Sequence, residues 1–134
     1  NASFEFINCV HPSAEISNHI QIGTGNVVMA GATVSTSAKI ANHCVINTNS
    51  SLDHDCTMDD YSCLGPNSAV GGNTRIGKFA FVGIGASVFQ DLSVGVNCLI
   101  GGGSVVIRDT KANSVYFGNP AKFVTERESG DKYL

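Results

Sequence analysis

Counting in sixes from Val10, the chain meets an aliphatic residue or methionine every time: Ile16, Ile22, Val28, Val34, Ile40, Ile46, Leu52, Met58, Leu64, Val70, Ile76, Val82, Val88, Val94, Ile100 and Val106. A second track runs two residues ahead of the first. Ala14, Ala32, Ala38, Cys44, Ser50, Cys56, Ser62, Ser68, Thr74, Ala80, Ala86, Cys98 and Ser104 are small, and only Ile20, Asn26 and Leu92 interrupt them. Glycine often follows the aliphatic residue directly, at Gly23, Gly65, Gly71, Gly77, Gly83, Gly95 and Gly101.

A period of six matches neither an amphipathic helix nor one long strand, but it suits a chain that turns a corner every six residues. Three such sides close a triangular coil of 18 residues. The pattern predicts aliphatic residues pointing inward from each side, small residues filling the tighter space near the corners, and glycine relieving the backbone there. Stacked coils then pair as parallel strands about 4.8 Å apart, with residues i and i+18 above one another. The predicted fold is an all-β, hexapeptide-repeat parallel β-helix.

The 134 residues are of single-domain size. The reading divides them into a lead-in at 1–9, a β-helix at 10–109 and a C-terminal loop and tail at 110–134. The β-helix would hold a little over five coils, a prism on the order of 25 Å long. After Val106 the rhythm stops. Arg108, Asp109 and Lys111 bring charge, Gly118-Asn119-Pro120 marks a turn, and from about Phe123 a solvated tail or short helix is expected as an end cap.

A net charge of −3 and the lack of a Lys/Arg cluster argue against a nucleic-acid or membrane-surface partner. Residues 16–38 carry no formal charge with His19 neutral, yet polar residues and glycine interrupt them throughout, unlike a membrane span. Of the five cysteines, Cys44, Cys56 and Cys98 lie on the small inward track and read as reduced packing residues. Cys9 and Cys63 fall one residue later and should be more exposed.

Position on the hexad decides which polar groups can act. After Leu52, Asp53 faces out, His54 and Asp55 take the corner, and Cys56 turns in again. Eighteen residues beyond His54, on the same corner one coil up, stands Gly72. A residue without a side chain leaves its backbone N–H open to a ligand beside the imidazole. A base next to a free amide donor is what acyl transfer needs, one to take the nucleophile's proton and the other to hold the developing oxyanion.

The stretch from Ile46 through Asn47, Leu52, Asp53, His54, Asp55 and Cys56 resembles the signature of sugar O- and N-acetyltransferases. These include sialic acid O-acetyltransferases and UDP-4-amino-sugar N-acetyltransferases. Val10-His11-Pro12-Ser13-Ala14, Gly101-Gly102-Gly103-Ser104-Val105-Val106 and Gly118-Asn119-Pro120-Ala121-Lys122 are similar to the same family. The resemblance implies a left-handed winding, against the usual rule for parallel crossovers, and a cytoplasmic, bacterial homotrimer with sites between subunits. It implies acetyl-CoA as donor, His54 as general base, Asp55 orienting it, and Asn47 and Gly72 contacting the donor. Attack by the acceptor amine or hydroxyl would be direct, without an acyl-enzyme.

On this reading the CoA tail passes Gly83 and Gly85 toward Gly101, Gly102 and Gly103, with Arg108, Lys111 and Lys122 near its phosphates. Asn47 and His54 are separated by a corner within one chain, so they are expected to meet across a subunit boundary. A three-histidine zinc site, found in some trimeric β-helices of this kind, is not expected. No two of His11, His19, His43 and His54 differ by a multiple of 18, as stacked ligands would.

Two departures bear on the acceptor. Family members generally carry an N-terminal α/β domain, whereas this chain opens Asn1-Ala2 without Met and starts its repeat almost at once, as an excised domain or a short version would. Where relatives often have a second histidine nine residues beyond the base, this chain has Cys63. The expected function is acetyl transfer to an amine or hydroxyl of a sugar or sugar nucleotide of surface-glycan synthesis. Another small acceptor, such as serine or an antibiotic, and a non-catalytic assembly solenoid are the alternatives.

Overall fold

The computed structural model describes residues 3–132; Asn1, Ala2, Tyr133 and Leu134, at the ends of the lead-in and tail, lie outside the described residues. A two-residue strand ends on every aliphatic position of the six-residue track. In chain order these are β1 (Cys9–Val10), β2 (Glu15–Ile16), β3 (Gln21–Ile22), β4 (Val27–Val28), β5 (Thr33–Val34) and β6 (Lys39–Ile40). They continue as β7 (Val45–Ile46), β8 (Ser51–Leu52), β9 (Thr57–Met58), β10 (Cys63–Leu64), β11 (Ala69–Val70) and β12 (Arg75–Ile76). The last five are β13 (Phe81–Val82), β14 (Ser87–Val88), β15 (Ser93–Val94), β16 (Leu99–Ile100) and β17 (Val105–Val106).

Every third strand joins the same sheet. Sheet A runs β1-β4-β7-β10-β13-β16, sheet B runs β2-β5-β8-β11-β14-β17, and sheet C runs β3-β6-β9-β12-β15. All these pairings are parallel and in an 18-residue register, such as Leu64 beside Ile46 and Val82. The result is an all-β parallel solenoid of about six turns that matches the left-handed β-helix. The described residues contain no helix.

The core is the aliphatic track itself. From Val28 to Val106 each of its members is at most 3% exposed, and burying such a side chain contributes about 1.5–3 kcal/mol. The small track is equally buried, and its polar members are satisfied locally. Ser50, Ser62 and Ser68 donate their hydroxyls to the carbonyls of Asn47, Asp59 and Gly65 at 2.6, 2.7 and 2.8 Å. Asn26, an interruption in the sequence, fits because its side chain donates to the Ala41 carbonyl and accepts the Cys44 N–H. Burial pushes the Cys44, Cys56 and Cys98 thiols up, and that of the half-buried Cys63 up to about 11.

The corners depart from expectation in one respect. The strained residue is not the glycine after the aliphatic position but the residue three places beyond it. Gly25, Gly31, Ser37, His43, Asn49, Asp55, Tyr61, Asn67, Asn73, Phe79, Gly85, Asp91, Asn97 and Gly103 all have φ between 51° and 72°. That left-handed turn aims the residue's N–H along the solenoid axis at a carbonyl of the previous coil: Asn49 to Ala30, Asp55 to Thr36, Tyr61 to Asn42. The glycines one place after the aliphatic residue serve coil stacking instead. A Cβ on Gly77 would lie 2.7 Å from the Val96 nitrogen and 2.8 Å from the Val94 oxygen.

Beyond Val106 the solvated segment is extended rather than helical. β18 (Ser114–Phe117) adds to β16 in parallel, and after the turn at Gly118-Asn119-Pro120, β19 (Lys122–Glu126) folds back antiparallel onto β18. Continuing sheet A satisfies the edge that β16 would otherwise leave open. Arg127 follows as a buried residue whose N–H reaches the Asn113 carbonyl.

The two glycine roles separate in unfolding experiments. Gly77→Ala forces neighbouring backbone to move and is expected to cost about 1–3 kcal/mol. Gly103→Ala has open space around the new methyl and should cost only the left-handed penalty, about 1 kcal/mol. Urea midpoints measured side by side check the order.

Candidate active site

His54 stands at the corner between sheets B and C, just past β8, with 56% of its side chain exposed. Three acidic neighbours define it. Asp53 accepts the His54 backbone N–H at 2.8 Å, and Asp55, in the left-handed position, brings its carboxylate Oδ2 to 2.8 Å from Nδ1. A carboxylate only accepts, so Nδ1 of the neutral ring carries the proton and Nε2 keeps its lone pair. The Asp55 hydrogen bond, then the charge of Asp53, raises the His54 pKa above the usual 6.5, with Asp91 adding a smaller push.

The imidazole lies against Gly72 of the next coil. A Cβ there would sit 2.6 Å from Nε2 and 2.7 Å from Cε1, so any other residue would take the space of the ring. The backbone N–H of Gly72 is also uncapped. At His54 the preceding Asp53 caps the amide, and at Thr48 the preceding Asn47 does the same at 2.8 Å. Gly71 has no side chain to offer, and among the described residues nothing accepts the Gly72 N–H. The Gly72 carbonyl accepts the Asp91 N–H at 3.0 Å and so stays in the coil-to-coil ladder.

The remaining candidates fall into separate groups within one chain. Asn47, Gly83, Gly85 and Gly102 lie along the corner between sheets A and B, Gly83 and Gly85 two coils above Asn47 and Gly102 one coil further. Gly83 is required by stacking, since its Cβ would meet the Ile100 oxygen at 2.5 Å, whereas Gly85 and Gly102 are exposed. Arg108 is exposed on the His54 corner, following β17, with Gly72 and Gln90 between them in the column. Lys122 is exposed on β19, and Lys111 is exposed ahead of β18. Within one chain Arg108 and Lys111 stand away from the corner of Gly83, Gly85 and Gly102, whereas Lys122 pairs with Phe117, whose ring packs on Gly101. Asn47 and His54 likewise stand at successive corners with β8 between them.

No family model matches the chain. A solved variant of the GDP-perosamine N-acetyltransferase of Caulobacter crescentus, bound to CoA and GDP-perosamine, is similar to it with a TM-score of 0.90 and 36% identity, over 92% of this chain. Its structural neighbours are hexapeptide-repeat sugar acetyltransferases. The acetyltransferase domain of PglB from Neisseria gonorrhoeae, in complex with acetyl coenzyme A, matches over 90% of the chain at 36% identity and a TM-score of 0.89. WeeI from Acinetobacter baumannii matches over 86% at 27% identity and 0.83. The chain spans 59% of the length of the first two and 57% of WeeI.

Two features of the site were not singled out in the sequence. Asp53 is one, a cap and a charge beside the imidazole. The other is an apolar groove of about 310 Å³ beside Gly83 and Gly102, walled by Pro66, Phe81, Ile84, Leu99 and Phe117. Ile84, 60% exposed at a corner position, was the signal for it. Among the described residues no group of three or more His, Cys, Asp or Glu could hold a metal ion, and no helix is long and apolar enough to cross a membrane.

Protonation of His54 is favoured by its carboxylates, so the free-base form predominates only above the raised pKa. Asp55→Asn removes the largest cause. An NMR titration of the imidazole should find the wild-type pKa above 6.5 and the variant's shifted down; an unmoved value would detach Asp55 from the ring.

Proposed function

We propose that this chain is a β-helix acetyltransferase that moves acetyl from acetyl-CoA to the amine of a sugar nucleotide, with His54 as general base. The observation that carries the reading is the corner itself. An exposed imidazole is held by Asp55 through Nδ1, with Nε2 beside a glycine whose N–H has no acceptor among the described residues. The similarity to enzymes solved with CoA, acetyl-CoA and GDP-perosamine supports the choice of donor and acceptor class. Acetyl-CoA as co-substrate fits a cytoplasmic enzyme.

In the proposed reaction the acceptor amine attacks the thioester carbonyl carbon while Nε2 of His54 takes its proton. The carbonyl electrons move onto oxygen, where the Gly72 N–H donates to the oxyanion. Collapse re-forms C=O and breaks the C–S bond. The departing CoA thiolate takes the proton from the imidazolium, giving the N-acetyl sugar and CoA. Thiols held protonated by burial make a cysteinyl acyl-enzyme unfavourable, which supports direct transfer.

The site is completed, in this proposal, by a homotrimer. Sheet B connects the corner of Asn47 to that of His54, and its outward residues Thr33, Ser51, Ala69 and Ser87 are small enough for a second copy to approach closely. Packing copies on this face sets the Asn47 corner of one chain beside the His54 corner of another, bringing Gly85 and Gly102 of one toward Arg108 of its neighbour. Lys122 would extend the same donor channel.

Titration with acetyl-CoA and a turnover screen of UDP- and GDP-linked amino sugars, sialic acid and serine test the reading. Micromolar acetyl-CoA binding with transfer to a nucleotide amino sugar is expected; absence of donor binding would favour a non-catalytic solenoid. His54→Ala should lower turnover by about 10²-fold or more. Gly72→Ala, which displaces the ring, should lose activity on the same order while staying folded.

Turnover should rise with pH through the raised His54 pKa, and the rise should move to lower pH in Asp55→Asn. A shared site predicts recovery of activity in mixed assemblies of Asn47→Ala and His54→Ala chains, each inactive alone. Mixed species as inactive as the parents would argue for a site within one chain.

A further inference from the structure

The His54 corner separates two unlike surfaces. On the sheet B side the wall combines the small residues Ser51, Ala69, Gly71 and Ser87 with the exposed Phe89 and with Gln90. On the sheet C side lies a groove of about 690 Å³ that runs from Asp55, the partner of the base, toward the earlier coils. Its polar lining includes His19, Gln21, Ser37, Lys39 and Thr57.

These polar groups are unused. Among the described residues the side chains of Gln21, Ser37, Lys39 and Thr57 make no hydrogen bond or ion pair. The next corner shows the ordinary behaviour of such residues: Thr24, Asn42 and Asp60 are linked coil to coil by side-chain hydrogen bonds of 3.0–3.4 Å. Arg75, two strands from Lys39 on the same outer face, is tied to Asp59 by a two-pronged ion pair at 2.9 and 3.1 Å. Lys39 keeps its charge uncompensated between Gln21 and Thr57, its outward neighbours in the ladder. Unspent donors around a concave surface, with one free cation at a distance from the base, fit an anionic ligand that also presents hydroxyls.

Resting on the acetyltransferase reading, we propose that this groove is the acceptor subsite and that it holds a nucleoside-diphosphate-linked amino sugar. The diphosphate lies on Lys39, the hexose hydroxyls face Ser37 and Thr57, and the amine reaches the corner where Nε2 of His54 waits. Donor and acceptor then approach the imidazole from opposite sides of one ridge, the donor along the later coils and the acceptor along the earlier ones. Lys39 is a specificity residue, selecting nucleotide-linked sugars over free ones, and takes no part in proton transfer.

Steady-state kinetics of Lys39→Met and Lys39→Arg, with a GDP- or UDP-linked 4-amino-4,6-dideoxyhexose and with the nucleotide-free amino sugar, test this. Lys39→Met should raise KM for the nucleotide sugar about tenfold or more, the worth of a charge-assisted contact. Its kcat should stay within about twofold, the KM for acetyl-CoA should not move, and Lys39→Arg should restore binding. An unchanged acceptor KM would overturn the assignment, and a rise in the acetyl-CoA KM instead would place the donor's phosphates on Lys39. A calorimetric titration with GDP and UDP separates the two readings. Wild type that binds a nucleotide lost in Lys39→Met, yet transfers no acetyl, keeps the subsite and removes the function; wild type that transfers acetyl but binds neither nucleotide removes the subsite.

Discussion

The left-handed residue at each corner, with its N–H turned along the axis, is the constraint on which the rest of the molecule depends. A two-residue strand offers few ladder bonds, and a chain that changed direction every six residues would leave its corners outside the ladder. Placing the third residue past each aliphatic position at φ near +60° brings the corner amide back onto the coil below. The turn is costly for a residue with a side chain, roughly 1–2 kcal/mol. Asparagine and aspartate tolerate it best, which accounts for Asn49, Asp55, Asn67, Asn73, Asp91 and Asn97 in these positions. On the corner between sheets C and A, His43, Tyr61 and Phe79 adopt the same conformation and offset part of its cost by stacking, with ring centroids 5.0 and 5.2 Å apart.

That constraint also shapes the chemistry. Asp55 is the left-handed residue of its corner, so the backbone conformation that keeps coils in register is the one that turns its carboxylate onto Nδ1. The position just before it lies outside both strand and core, and there His54 sits with 56% of its side chain exposed. One coil up, the same position is Gly72, preceded by Gly71. Two glycines in a row remove both the side chain that would displace the imidazole and the side chain that would cap the amide. The exposed imidazole, the carboxylate held against it and the uncapped amide are thus three consequences of one repeating geometry.

The six-residue period made the fold legible before any coordinate: the 18-residue register, the inward aliphatic column and the exposure of His54 all follow from arithmetic on the hexad. The winding direction did not follow from it. What misled was glycine, because its best-known use is a positive φ, whereas here most glycines after the aliphatic residue answer a contact from the next coil. That contact is long-range and invisible to local pattern. The positive φ fell on side chains such as Tyr61 and Phe79, which nothing in the local sequence marks as strained. The tail was unreadable for a related reason, since β18 and β19 lack the period and owe their conformation to the open edge of sheet A.

Within one chain the site is legible only on one side. His54, Asp55 and Gly72 share a corner, and the hexad brings them together by number alone. Asn47, Gly85 and Gly102 share another corner, and no counting within the chain joins the two, because residues on different corners keep a full face of the prism between them. The grooves that one prism forms along its faces are open to solvent, and none of them joins the two corners. A binding site deep enough to enclose a cofactor must therefore be finished by something else, and a second prism laid against a face of small residues is the simplest way for a repeating chain to acquire one.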